Sequence, residues 1–166
     1  ISSCPNLEHF NNHFVCLKCT APNEYFYEYN CVDISLCPNA EHVSASKVCR
    51  NCVFPNMYFY NNNCVNLQSC PNPEHITSSY VCKNCVAPNI YFYQDNCVQL
   101  TSCINSKHVT SSNVCKICNS PTDYFYNNDC VELSECPNSD HVTSSNVCLL
   151  CVAPNEYFYN DQCIQL

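Results

Sequence analysis

Residues 151–163 read CVAPNEYFYNDQC, and the same phrase recurs as CTAPNEYFYEYNC (19–31), CVFPNMYFYNNNC (52–64), CVAPNIYFYQDNC (85–97) and CNSPTDYFYNNDC (118–130). Working outward, the cysteines obey C-x11-C-x2-C-x11-C-x5 five times, a period of 33 residues without insertion or deletion. Such a period makes the repeat the unit of folding. The repeats are 1–33, 34–66, 67–99, 100–132 and 133–165, and Leu166 opens a sixth unit. His9, His42, His75, His108 and His141 form one column, and Pro22, Pro55, Pro88, Pro121 and Pro154 another. The last repeat is as regular as the middle ones, whereas array ends normally diverge into caps. Repeat one departs most, at Phe10-Asn11-Asn12-His13-Phe14. The expectation is a window on a longer repeat protein, or one protomer of an open assembly.

Twenty cysteines in 166 residues mark a disulfide scaffold, and each repeat has an even number, so all can pair. That density places the chain in an oxidising, extracellular or cell-surface compartment. No signal peptide is read, so these residues are expected to be mature sequence. No apolar run approaches the ~20 residues of a membrane span, so no membrane insertion is expected in this segment. Six Lys and Arg against fourteen Asp and Glu give a net charge of −8. Nucleic acid is thereby disfavoured as a partner, because phosphate contacts need a basic face.

Aliphatic residues are few. The columns are Val15/Val48/Val81/Val114/Val147, Val32/Val65/Val98/Val131/Ile164, Val43/Ile76/Val109/Val142 and the Ile/Leu linker position. A 33-residue unit of this kind needs staples. Each closed loop contributes roughly 3 kcal/mol in the chain-entropy treatment.

Four cysteines per repeat allow three connectivities. The two equal x11 gaps favour sequential pairing: Cys4–Cys16, Cys19–Cys31, Cys37–Cys49, Cys52–Cys64, Cys70–Cys82, Cys85–Cys97, Cys103–Cys115, Cys118–Cys130, Cys136–Cys148 and Cys151–Cys163. The crossed pattern, Cys4–Cys19 with Cys16–Cys31, is the alternative. A bond inside Cys16-x-x-Cys19 is disfavoured as the strained, redox-active arrangement.

The second loop of each repeat reads strand–turn–strand: Tyr-Phe-Tyr, then Asn/Asp-type turn residues, then Cys-Val. The chain has 25 Asn and no Gly. Asn and Asp tolerate positive φ best after glycine, so they are expected in the turns. The first loop, with Pro after its cysteine and no helical stripe, is expected to be irregular with short β pieces. The fold class is therefore small disulfide-rich tandem repeats of β-hairpins and loops with little or no helix, stacked into an elongated rod or solenoid.

CVAPNEYFYNDQC and the junction CVELSECPNSDHVTSSNVCLLC (130–151) resemble furin-like or growth-factor-receptor-type cysteine-rich repeats. Similar arrays occur in cysteine-rich surface proteins of ciliates and other protists. The resemblance covers all five repeats and implies a rod of disulfide modules with an extracellular surface role. Pro-Asn stands where those repeats carry Gly before the aromatics, and Ile104 replaces the Pro of Cys-Pro. The strict spacing points to a building material.

Functional residues are weighed against plainer roles. A Cys4 zinc site takes two close cysteine pairs, and each repeat has one, so no metal or cofactor is expected. Glu8-His9, Glu41-His42, Glu74-His75 and Asp140-His141 put a carboxylate beside an imidazole, a candidate ladder of metal or pH-sensitive sites, broken by Lys107-His108. The plainer expectation is a ring that packs on its loop and hydrogen-bonds backbone. No nucleophile–base set stands out, so no enzyme is expected. Tyr25, Tyr27, Tyr58, Tyr60, Tyr91, Tyr93, Tyr124, Tyr126, Tyr157 and Tyr159 share one strand face and form a candidate assembly face. No Asn-x-Ser/Thr sequon exists; Thr77, Ser78, Ser79, Thr110, Ser111, Ser112, Thr143, Ser144 and Ser145 are candidates for O-linked glycans. The expected function is an extracellular structural protein that self-associates into a filament or coat, as in a single-celled eukaryote. The alternative is the stalk or binding ectodomain of a receptor or adhesin.

Overall fold

The computed structural model describes residues 6–13, 15–19, 22–86, 88–119 and 121–165. It divides into two compact units, residues 1–84 and 85–166. In the first, β1 (Glu24–Tyr27) pairs with β2 (Asn30–Asp33), and β3 (Tyr58–Tyr60) with β4 (Asn63–Val65). In the second, β5 (Ile90–Tyr93) pairs with β6 (Asn96–Gln99), β7 (Asp123–Tyr126) with β8 (Asp129–Glu132), and β9 (Glu156–Tyr159) with β10 (Gln162–Gln165). Each pair is an isolated two-stranded antiparallel hairpin. Single turns of 3-10 helix, at Ile34–Leu36, Leu67–Ser69, Leu100–Ser102 and Leu133–Glu135, follow the first four. This is a small disulfide-rich tandem-hairpin fold.

The hairpins form because Tyr-Phe-Tyr suits a pleated strand and because two residues at positive φ close the turn. Those residues are Glu28/Tyr29, Asn61/Asn62, Gln94/Asp95, Asn127/Asn128 and Asn160/Asp161, with φ between 43° and 72°. Two successive left-handed residues make the turn whose twist matches that of paired strands. The turn also fixes the register. Tyr27 faces Asn30 beside the turn, so Phe26 faces Cys31. The Tyr27–Asn30 pair uses the inward backbone bonds, which leaves the N–H and C=O of Phe26 pointing away from β2.

The first loop of each repeat carries one antiparallel bridge, such as Val43 with Cys49, Ile76 with Cys82 and Val109 with Cys115. Between the bridged residues the chain turns through a third left-handed residue: Lys47, Tyr80, Asn113 or Asn146, at φ 58–64°. The hydroxyl of Ser44, Thr77, Thr110 or Thr143 accepts the N–H of Val48, Val81, Val114 or Val147 at 3.1 Å, which holds this turn closed.

Nine disulfides lie among the described residues. Cys19–Cys31, Cys52–Cys64, Cys85–Cys97, Cys118–Cys130 and Cys151–Cys163 close the hairpins. Cys37–Cys49, Cys70–Cys82, Cys103–Cys115 and Cys136–Cys148 close the first loops. Cys4, and with it the Cys4–Cys16 pairing, lies outside the described residues. The pairing is sequential, and among the described residues no bond crosses from one loop to another.

The core is made mostly of cysteines, of Phe26, Phe59, Phe92 and Phe125, each 8% exposed, and of histidines, joined by Val48 and Tyr58. The linker leucines Leu67 and Leu133 are exposed, because the 3-10 turn that carries them runs along the surface.

The left-handed positions separate two roles for asparagine. Asn113 pays only a conformational cost there, so Asn113→Gly is expected to leave stability nearly unchanged and Asn113→Ala to lower it by about 1 kcal/mol. Asn128 also accepts the Ser111 N–H through Oδ1 at 2.8 Å. Asn128→Gly keeps the turn but loses that bond, and is expected to cost about 1 kcal/mol. Denaturant unfolding of the oxidised protein distinguishes the two sites.

Candidate functional site

The feature repeated most faithfully is the joint between one repeat and the next. Its first part is backbone. The outward N–H of Phe26 donates to Lys47 O at 2.8 Å, and Phe26 O accepts from Cys49 N at 3.0 Å. This is a parallel bridge from Phe26 to Val48 of the following repeat, and it recurs as Phe59–Val81, Phe92–Val114 and Phe125–Val147.

Its second part is the histidine column. His9 lies flat on Phe26, with centroids 5.0 Å apart and planes within 10°. His42 on Phe59, His108 on Phe125 and His141 on Phe158 repeat the stack at 5.3–5.4 Å. From that position Nε2 of His9, His42 and His108 donates to the carbonyl of Ser46, Ser79 and Ser145 respectively, at 2.7 Å each. The same carbonyls take a second bond from Nδ2 of Asn6, Asn39 and Asn105, at 2.9–3.2 Å. The amide orientation follows from the other end of the side chain: Oδ1 of these asparagines accepts the N–H two residues on. Two donors thus converge on one carbonyl and use both its lone pairs. A carbonyl is an acceptor only, so these imidazoles carry their proton on Nε2. His42 is 1% exposed, and its Nδ1 has no partner.

A third contact lies at the rim. Glu8 and Glu41 are turned away from the neighbouring imidazoles and accept the hydroxyls of Ser46 and Ser79 at 2.8 and 3.0 Å. Arg50 adds an ion pair to Glu8 at 3.2 Å. The carboxylate–histidine ladder seen in the sequence is therefore two separate contacts to the next repeat. Among the described residues no three His, Cys, Asp or Glu side chains group as a metal site, and no cysteine is free.

Within a repeat, the hairpin turn ties back to the first loop. Asn62, Asn128 and Asp161 accept the N–H of Ala45, Ser111 and Ser144 at 2.8–2.9 Å. Asp161 also receives the Ser144 hydroxyl. That hydroxyl first, and the Ser144 N–H second, hold the Asp161 carboxyl below the ordinary aspartate value of 3.8. The Ser35 N–H and hydroxyl do the same for Asp33.

The tyrosine columns are half-buried in the first four hairpins, with Tyr58 buried; Tyr157 and Tyr159 are exposed. Tyr91 and Tyr124 donate to the carbonyls of Pro88 and Pro121 at 3.0 Å, so part of the tyrosine face serves its own repeat. Tyr80 stacks on Phe54 at 4.2 Å and meets Tyr58 edge-on.

The Thr-Ser-Ser triplets differ in exposure from residue to residue. Thr77 and Thr110 are 4% exposed, and their hydroxyls are turned inward onto a backbone N–H. Thr143 is half-buried in the same arrangement. Ser78, Ser111 and Ser144 are exposed; Ser79, Ser112 and Ser145 are half-buried.

No helix among the described residues is long and apolar enough to cross a membrane. No protein-family model matches the sequence, and no curated protein or solved structure matches it.

Two measurements check this site. His42→Ala removes the stack and one of two donors to the carbonyl of half-buried Ser79, and is expected to cost about 2–4 kcal/mol. His13→Ala, at an exposed position of repeat one, is expected to stay within about 0.5 kcal/mol of the parent. For Asp161, a lowered folded pKa means stability that is present above the unfolded value and lost as pH falls through the folded one. An NMR titration of its carboxyl carbon is expected to give a midpoint below 3.8, and Ser144→Ala to move that midpoint up.

Proposed function

We propose that the chain is an extracellular structural protein, a disulfide-stapled repeat array that self-associates into a filament or surface coat. The observation that carries this reading is the uniformity of the joint. The Phe–Val bridge occurs at four successive positions, with backbone bonds of 2.8–3.0 Å at each. A recognition site needs at least one unit to depart from its neighbours. Uniformity is what a repeating assembly requires, since equal joints give equal steps.

The disulfide-rich architecture fits an oxidising compartment outside the cell. The likeness of the Cys-x-x-Cys, aromatic and Cys-Val order to growth-factor-receptor-type repeats supports the same placement. The exposed serines Ser78, Ser111 and Ser144 are the positions at which an O-linked sugar fits this reading.

Cryo-electron microscopy of native, unreduced material tests it. Ordered filaments or sheets are expected, with an axial step equal to that of 33 residues or a whole multiple of it. Discrete molecules without end-to-end or lateral order would move the reading to a receptor or adhesin stalk.

A further inference from the structure

We propose that the joint between repeats four and five carries a binding cleft for one neutral sugar residue, free or at the end of a glycan. The proposal goes beyond the structural role above and holds whether or not the chain assembles.

The backbone of the joints is uniform, but the side chains at their rims are not. At the first joint the rim is filled by Arg50. It pairs with Glu8 of the preceding repeat at 3.2 Å, and its Nε donates to Asn62 O, in the hairpin turn of its own repeat, at 3.2 Å. Repeats three and four keep a cation in this column, Lys83 and Lys116, and Lys116 pairs with Asp129 of its own hairpin at 3.3 Å. Repeat five has Leu149 there and Gln162 in the column of Asp129, while the glutamate column of repeat four holds Lys107. Leucine is too short to span the rim and has no charge to pair. A cleft of about 280 Å³ remains, lined by Lys107, Ser145, Val147, Leu149, Asp161 and Gln162.

The end of the chain does not open this cleft. The contacts that build a joint from its earlier repeat come from the columns of Asn6, Glu8, His9 and Phe26. Their equivalents in repeat five are Asn138, Asp140, His141 and Phe158, and none of these lines the cleft. Its walls are the hairpin turn and first loop of repeat five, tied together by Asp161 and Ser144, and Lys107 of the repeat before.

The lining matches a sugar. A pyranose offers hydroxyls that both donate and accept, and a face of C–H groups. Val147 and Leu149 supply aliphatic surface for that face. The Lys107 ammonium donates only, the Asp161 carboxylate accepts only, and the Gln162 amide and Ser145 hydroxyl do both. Asp161 is fixed in place by the Ser144 N–H at 2.9 Å and by the Ser144 hydroxyl. The Ser145 hydroxyl is released by the same departures: Glu8 accepts the equivalent Ser46 hydroxyl at 2.8 Å, and an ammonium cannot. One cation and one anion cancel, so the lining favours a neutral ligand over a carboxylated one. The volume lies just below the range of about 300–1,000 Å³ for drug-sized ligands, which limits the occupant to a single ring.

The test is an amide NMR titration of the oxidised 166-residue chain with the methyl glycosides of glucose, galactose, mannose and N-acetylglucosamine. Saturable shifts at Lys107, residues 143–149, Asp161 and Gln162 are expected for at least one of them, with a dissociation constant of about 1 mM. Lys107→Glu combined with Leu149→Arg rebuilds the rim of the first joint from residues already carried in those columns, so the fold is kept. This variant is expected to bind about ten-fold more weakly or worse. Gln162→Ala removes one hydrogen-bonding group and is expected to weaken binding about three-fold. An oligosaccharide ending in the bound sugar that binds more tightly than the methyl glycoside identifies a glycan chain as the source, and equal affinity a single sugar. Absence of saturable shifts with all four glycosides, or undiminished binding by the rebuilt rim, would overturn the proposal. So would tighter binding of leucine or glucuronate at the same amides, which assigns the cleft to a zwitterion or an acid. None of these outcomes bears on filament formation, which microscopy tests separately.

Discussion

One serine carbonyl per joint organises this structure. At Ser46, Ser79 and Ser145 it receives an imidazole and a carboxamide from the preceding repeat. That convergence requires an imidazole with a proton on Nε2, held flat against a phenylalanine. The phenylalanine in turn must sit one residue before the hairpin turn, where its backbone points outward. The chain of requirements runs back to the turn itself: two left-handed residues set the register, the register frees the Phe backbone, and the Phe ring seats the histidine. Each repeat therefore builds its half of a joint from local geometry alone.

The absence of glycine follows from the same economy. Glycine fits a left-handed position without strain, yet its lack of a side chain would be a loss at several of those found here. Asn62, Asn128 and Asp161 use theirs to hold the first loop. Lys47 places its ammonium 5.8 Å from the centroid of Tyr25, and Tyr80 packs on Phe54 and Tyr58. The strain of a non-glycine residue at positive φ is about 1–2 kcal/mol, and less for Asn and Asp. A hydrogen bond or an aromatic contact of about 1 kcal/mol offsets it. Asn and Asp dominate these positions because they combine the lowest strain with a usable acceptor.

Much of the fold was legible in the sequence. The fixed period set the unit, the YFY–turn–Cys-Val pattern set the hairpin, and the equal x11 gaps pointed to loops that close on themselves. The core was legible only in part. The scarcity of aliphatic residues already pointed away from a sizeable core, but not to the surface course of Leu67 and Leu133 or to histidines among the buried Phe and Cys side chains. The histidine column was visible as a column, and packing against backbone was its plainer reading. What pattern could not reveal was the partner. The accepting carbonyl is 37 residues away in the next repeat, and a carbonyl has no sequence signature. The neighbouring glutamate drew attention as a partner for the imidazole, although adjacent side chains in such a turn diverge and its real partner is a serine hydroxyl. The tight Thr-Ser-Ser turn hid its threonines for a comparable reason: the first hydroxyl is the one that reaches the valine N–H.

The division between covalent and non-covalent links has a mechanical consequence. Every described disulfide joins cysteines 12 residues apart and closes a single loop. None of them joins successive repeats. The loops are thus individually durable, each stapled by roughly 3 kcal/mol of reduced chain entropy in the unfolded state. Between repeats, beyond the backbone itself, the links are non-covalent: two bridge hydrogen bonds, a stacked imidazole, its two-donor carbonyl, and side-chain contacts such as Glu8 with Ser46 and Arg50. Load or denaturant applied to such an array acts first on the joints, which can open and reform without any thiol chemistry, while the staples preserve the loops that must find each other again. A chain built this way is covalently closed within its loops and non-covalently joined between its repeats. The joint residues, and not the cysteines, set how it yields.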